Sequence, residues 1–198
     1  MQSLDESGAR KRLEKMARAH DEAIGAMLSQ AGSLLAVARL IVQTAAAGGK
    51  VMTCGNGGSA ADAQHLAAEL VGRFEGSRMS LPCVALCVDP AVITSLANDY
   101  GYENVFAQQV TALGRRGDLL IGFTTSGTSG NVVAAAREAR RVGVGMAAFV
   151  GSPDAAEELG ALSDVMVSGG PGSTPRIQEA HGFALHAVCE LVSTLNTA

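Results

Sequence analysis

The chain has no tryptophan and only two tyrosines and five phenylalanines among 198 residues, so it offers few ring faces on which nucleic-acid bases could stack. It also lacks a basic surplus. Fifteen Lys and Arg stand against nineteen Asp and Glu, for a net charge of -4, which leaves no electrostatic footprint for a phosphate backbone and argues against a nucleic-acid partner. No uninterrupted apolar run nears the roughly 20 residues of a membrane span. The N-terminal Asp5, Glu6, Arg10, Lys11 and Arg12 are not the apolar core of a secretory signal. These absences predict a cytoplasmic protein with no membrane contact. The four cysteines, Cys54, Cys83, Cys87 and Cys189, sit in apolar runs without metal-knuckle spacing and read as small buried residues, neither disulfides nor thiolate ligands.

What is present is a 47% hydrophobic composition, enough for one full domain with its own core and too short for two. Residues 4 to 30 carry helical periodicity with many charges. After a break near Gln30-Ala31-Gly32, Ser33 restarts a helix that ends at Gly48-Gly49. Residues 1–48 are therefore predicted as N-terminal helices of the same domain, placed for oligomer contacts, and 49–198 as the α/β core. Strands are predicted at Lys50–Cys54, Cys83–Val88, Leu119–Phe123, Gly145–Val150 and Asp164–Val167. Helices are predicted at Ala60–Phe74, through Ile93 and Leu96, at Phe106–Leu113, Val132–Arg141, 153–162 and Arg176 to about Leu195. Alternation of this kind predicts five parallel strands with ligands bound at their carboxyl ends.

Two turns at those ends carry chemistry. Cys54-Gly55-Asn56-Gly57-Gly58-Ser59 runs from a strand into a helix, where backbone N–H groups and the helix dipole favour negative ligand groups. Ser59 reads as its N-cap, with Asp62 in the capping-box position. The second turn, Thr124-Thr125-Ser126-Gly127-Thr128-Ser129-Gly130-Asn131, offers hydroxyls and backbone donors at another helix start, with Ser129 as N-cap: a phosphate cradle without a lysine. Neither turn fits a dinucleotide fingerprint or a P-loop, so no nucleotide cofactor is expected. On the first helix Asp62, His65, Glu69 and Arg73 share a face. That stripe reads either as a solvated face with a Glu69–Arg73 ion pair or as a catalytic face whose His65 and Glu69 reach one ion or substrate. Asn98-Asp99-Tyr100-Gly101-Tyr102 reads as a polar, aromatic loop that could lie beside the first turn. In the last helix His186 stands where the sequence turns apolar, and a buried imidazole would need a partner.

Taken together, Cys54-Gly-Asn-Gly-Gly-Ser-Ala, Gln64-His65 with Glu69, Asn98-Asp99-Tyr100-Gly101-Tyr102, Thr125-Ser126-Gly127 with Ser129-Gly130-Asn131, and Arg176-Ile177-Gln178-Glu179 with His181 and His186 resemble the phosphoheptose isomerases. These are a branch of the sugar-isomerase (SIS) domain family, and the resemblance runs from about residue 33 to 195. It implies a single SIS domain, a flavodoxin-like αβα sandwich with a five-stranded parallel sheet. It implies a homotetramer with active sites at subunit interfaces and conversion of sedoheptulose 7-phosphate to D-glycero-D-manno-heptose 7-phosphate through an enediol. Position by position, it implies phosphate contacts from Thr124, Thr125, Ser126 and Ser129, and sugar contacts from Asn56, Gly57, Gly58, Asn98, Asp99 and Gln178, to which Ser59 and Arg73 are added. One zinc per subunit would be held by His65, Glu69, Gln178 and His186, with Glu69 and His186 as the acid–base pair. The segment Gly172-Ser173-Thr174-Pro175 departs from the family pattern, which often has an aspartate there. The alternatives are a non-catalytic SIS module, such as one that binds a replication initiator or senses a sugar phosphate, and an isomerase of another phosphosugar.

Overall fold

The computed structural model describes residues 5–72, 74–75, 80–170 and 172–196. Two helices come first, α1 (Glu6–Met27) and α2 (Ala31–Ala46), joined by a single 3₁₀ turn. The core then alternates: β1 (Val51–Gly55), α3 (Gly58–Val71), β2 (Cys83–Ala85), α4 (Pro90–Tyr100), α5 (Val105–Leu113), β3 (Leu119–Thr124), α6 (Gly130–Val142), β4 (Gly145–Val150), α7 (Glu157–Leu162), β5 (Val165–Ser168) and α8 (Thr174–Asn196). All pairings are parallel, in the order β2-β1-β3-β4-β5, the predicted flavodoxin-like arrangement.

Period-two alternation explains the two covered faces. Leu119, Ile121 and Phe123 of β3, with Val51, Ala147, Phe149 and Val167, pack in one core with α1, α2, α3 and α8. Leu120, with Met52, Cys54, Met146, Ala148 and Val150, faces the other, covered by α5, α6 and α7. In the first core the rings of Phe123 and Phe149 stack at 4.7 Å, and the buried His181 of α8 stands edge-on to both at 6.0 Å. One His181 nitrogen, Nε2, meets the Val150 carbonyl at 3.1 Å while Nδ1 is buried without a partner. Burial holds this imidazole down at about 4, against the pull of the Val150 carbonyl. Beneath the sheet, Asp118 accepts from Lys50 N at 2.9 Å, Arg115 N at 2.9 Å and Lys50 Nζ, clamping the starts of β1 and β3. Burial opposes its charge, but these donors outweigh it and hold the carboxyl below the usual range.

Several boundaries differ from the sequence reading for identifiable reasons. The run 83–88 pairs only through Ala85, because this edge strand turns inward at Leu86, whose N–H reaches the Thr53 carbonyl, and leaves Val88 exposed. Asn98, Asp99 and Tyr100 form the last turn of α4, not a loop. Asp89 caps that helix through Ala91 N and Val92 N, and it ends only at Gly101. In α3 the N-cap is Gly57, so Ser59 lies inside the first turn and Asp62 makes no capping box. Phe74 lies beyond the helix, and Arg73, with its expected ion pair and substrate contact, lies outside the described residues. The helical run Glu6–Ala46 holds an 18-residue window of mean hydropathy 1.5, apolar enough by length and composition to cross a bilayer, with 28% of it buried in this chain. Arg39 and scattered polar residues interrupt it, so it contains no unbroken apolar run of that length. Its inner stripe, Leu34, Val37, Ala38 and Ile41, packs in the core.

Candidate active site

The site is built where β1 and β3, neighbours in the sheet, deliver their turns to the starts of α3 and α6. Gly57 adopts φ +56, a left-handed conformation that side chains resist, and this sharp bend aims the first N–H groups of α3 out of the sheet. Gly58 has a different reason: a Cβ there would lie 2.3 Å from Gln178 Nε2, so its bare backbone lets the amide from α8 rest against the turn. Asn56, Gly57, Gly58, Ser59, Thr124, Thr125, Ser129 and Gln178, with Phe123 and Thr174, line one cleft of about 290 Å³. Eight expected site residues thus meet in one place.

The hydroxyl turn is internally organised. Thr124 Oγ1, on a residue only 2% exposed, lies 2.9 Å from Ser129 Oγ and 3.3 Å from Ser126 Oγ, and accepts from Gly127 N at 3.2 Å. Thr124 is therefore the hub that shapes the turn. Thr125 and Ser129 line the cleft, whereas Ser126 is exposed beside it and receives Thr128 N at 3.2 Å. Ser129 is the N-cap of α6, as expected, though its hydroxyl bonds Thr124 instead of the helix backbone.

A second cluster lies further along α3 and α8. Nε2 of His65 sits 3.2 Å from Nε2 of His186 and 3.3 Å from Glu69 Oε1, and ligand atoms of all three fall within 4.8 Å of one another. Two zinc–nitrogen bonds of about 2.05 Å at a tetrahedral angle put their nitrogens roughly 3.3 Å apart. The observed spacing fits a metal ion gripped by these residues. His186 is exposed, contrary to the expected burial, and its ring meets Phe74 at 5.8 Å. Gln178 is not in this cluster; its amide is against Gly58, about two helical turns earlier on α8. Asp62, on the same stripe, keeps Oδ2 buried without a partner, and desolvation, against the pull of His65, raises its carboxyl to about 6.

Asn98 and Asp99 are not brought to the cleft. They lie exposed on α4, with Asn98 Nδ2 donating to Asp99 Oδ1 at 2.9 Å. Three residues that sequence reasoning left out of the site belong near it. Thr174 lines the cleft, while Asn131 and Tyr102 both bond Asn56. Asn131 and Tyr102 belong to the Ser129-Gly130-Asn131 and Asn98–Tyr102 motifs, but only the folded chain brings both segments to Asn56.

A parallel sheet carrying a lysine-free hydroxyl cradle at one helix start defines the class of protein. The SIS domain profile matches residues 15–151, and this is an SIS-domain fold. Within that class, the phosphoheptose isomerase of Roseiflexus sp. (strain RS-1) is 48% identical over 164 residues, 83% of this chain and 82% of the relative. That of Akkermansia muciniphila is 47% identical over 167 residues, 84% and 87% of the two chains. The structure of phosphoheptose isomerase GmhA from Neisseria gonorrhoeae superposes with a TM-score of 0.81 at 38% identity, covering 94% of this chain and 97% of the other. The chain belongs to the phosphoheptose isomerase family, a family of isomerases.

Proposed function

We propose that the protein converts sedoheptulose 7-phosphate to D-glycero-D-manno-heptose 7-phosphate. The observation that carries this reading is the joint placement of a hydroxyl-lined cleft and the His65–Glu69–His186 cluster along α3 and α8. Seven residues separate Gly58 from His65 on one helix, about 10 Å of rise, so a ligand whose phosphate sits at the turns must extend its carbon chain to reach the cluster. A long acyclic phosphosugar has that shape.

In the proposed reaction, Thr125, Ser126 and Ser129, with N–H groups of the α6 start, hold the phosphate, and Asn56, Gly57, Gly58, Ser59 and Gln178 contact the chain. A base takes a proton from C1 of the ketose while an acid protonates the carbonyl oxygen on C2, giving an enediol. Return of a proton to C2 and loss of the proton on O1 complete the aldose. Glu69 and His186 are the groups assigned to these transfers. His65, Glu69 and His186 have the donor chemistry to hold zinc, whereas Gln178, whose amide rests against Gly58, is assigned to the sugar chain and not to the ion. When bound, such an ion polarises a carbonyl and stabilises developing oxyanion charge. The exposed Asn98 and Asp99, the half-covered α4 and the exposed Leu13 and Met16 of α1 support a homotetramer in which a second copy completes the site. Four cysteines free of disulfides agree with a reducing cytoplasm.

The test is turnover. Purified protein incubated with sedoheptulose 7-phosphate and followed by NMR should show loss of the ketose and appearance of a 7-phosphate aldose. No aldose from this substrate, with a different phosphosugar converted instead, would overturn the substrate assignment.

A further inference from the structure

Asn56 leaves β1 with its side chain already engaged. Its Nδ2 donates to Asn131 Oδ1 at 2.8 Å and its Oδ1 accepts from Asn131 Nδ2 at 2.8 Å, a closed pair of amides. Tyr102 OH donates to the same Oδ1 at 3.0 Å. Asn131 is 3% exposed and sits in the first turn of α6, so the pair ties the β1–α3 turn to the β3–α6 turn across adjacent strands. An amide carbonyl has two lone pairs and an amide nitrogen two hydrogens. Both lone pairs of Asn56 Oδ1 are taken, and one Nδ2 hydrogen is taken. What is left to face the cleft is a single N–H donor.

We propose that Asn131 and Tyr102 are positioning residues that lock the Asn56 amide in one orientation, so that Asn56 serves the phosphosugar only as a donor to one of its oxygens. The inference rests on the reading that Asn56 contacts the sugar chain. It adds which atom does so and what fixes it. Asn131 also sets the spacing between the two turns, because a reciprocal amide pair tolerates little change in separation before both bonds weaken. Tyr102 supplies polarity: without its hydroxyl, nothing beyond Asn131 distinguishes the carbonyl end of Asn56 from the amino end.

Three variants separate the possibilities. Asn131→Leu removes both amide bonds, Tyr102→Phe removes one hydroxyl from an exposed ring and leaves the fold intact, and Asn56→Ala removes the donor itself. KM for sedoheptulose 7-phosphate should rise about tenfold in Asn131→Leu and Asn56→Ala, the worth of roughly one hydrogen bond, and several-fold in Tyr102→Phe. Competitive inhibition by inorganic phosphate should stay within about twofold in Tyr102→Phe, because the hydroxyl turn is untouched. Asn131→Gln, which keeps the amide but displaces it, should not restore KM. A raised KM in Asn56→Ala with normal KM in both Asn131→Leu and Tyr102→Phe would overturn the positioning role while keeping Asn56 as a sugar contact. A normal KM in Asn56→Ala would overturn both. If Asn131→Leu fails to fold, Tyr102→Phe alone decides: an unchanged KM in it refutes the lock.

Discussion

Glu69 stands 3.3 Å from His65 Nε2 on a helix face that also meets His186, so removing its charge while keeping its shape isolates its chemistry. Glu69→Gln is expected to lower kcat by at least about a hundredfold, the usual contribution of an acid–base group, with thermal stability unchanged. Activity within tenfold of the parent would exclude it from proton transfer. Asp118 makes the opposite kind of contribution, far from the cleft. Its carboxylate joins three donors at the base of β1 and β3, and Asp118→Asn turns one acceptor oxygen into an amino group facing a donor. A loss of about 2–4 kcal/mol is expected, a Tm lower by roughly 5–15 °C in a chain of this size. Because its folded pKa is depressed, the parent's advantage over Asp118→Asn should be full above about pH 4, the unfolded carboxylate value, and shrink as acid titrates the folded carboxyl. A flat difference down to pH 2 would contradict the clamp.

At the scale of elements, β3, β4 and the helices after them were legible because their signals are local: an unbroken apolar run, then Gly or Ser, then alanine-rich sequence. Gly145–Val150 was predicted to the residue. The 98–100 segment was misread because polar residues on a helix whose residues are all at least partly exposed carry the same composition as a loop. The two turns were visible as motifs, but the Asn56–Asn131 pair depends on strand order, which no single turn encodes. The hydroxyl turn yields its own prediction. With Thr124 as hub, Ser126→Ala and Ser129→Ala together should raise KM at least tenfold and weaken inhibition by inorganic phosphate, while Tm falls only a few degrees. An unchanged KM would make the turn a plain helix start. The end of β4 and the middle of α8 meet at His181, which stays neutral when folded but binds a proton near pH 6.5 when unfolded. A folded pKa lowered to about 4 means stability declines as pH falls from about 6.5 to 4, by about 3 kcal/mol in all. A His181→Gln variant, assayed by denaturant titration across that range, should lack this slope.

For the whole molecule, the prediction concerns metal. His65 and Glu69 of α3 and His186 of α8 converge within one chain, so protein purified without chelator should carry zinc. Chelation should lower turnover and zinc should restore it, while the His65→Ala variant should retain less metal by elemental analysis. Full turnover in demonstrably metal-free protein would show that the cluster works as side chains alone.

The packing of α1 and α2 against α8 has a consequence for the protein's synthesis. Arg176 Nη1 donates to the Met16 carbonyl while His20 Nδ1 meets Glu179 Oε2, each at 2.8 Å. A ribosome adding about 5–20 residues each second needs on the order of ten seconds between finishing α2 and finishing α8. Throughout that interval the apolar stripe of α2 has no α8 to cover it. The stripe of α2 is thus exposed to wrong partners for as long as the sheet takes to be made, and α1 and α2 are fully seated only when α8 arrives.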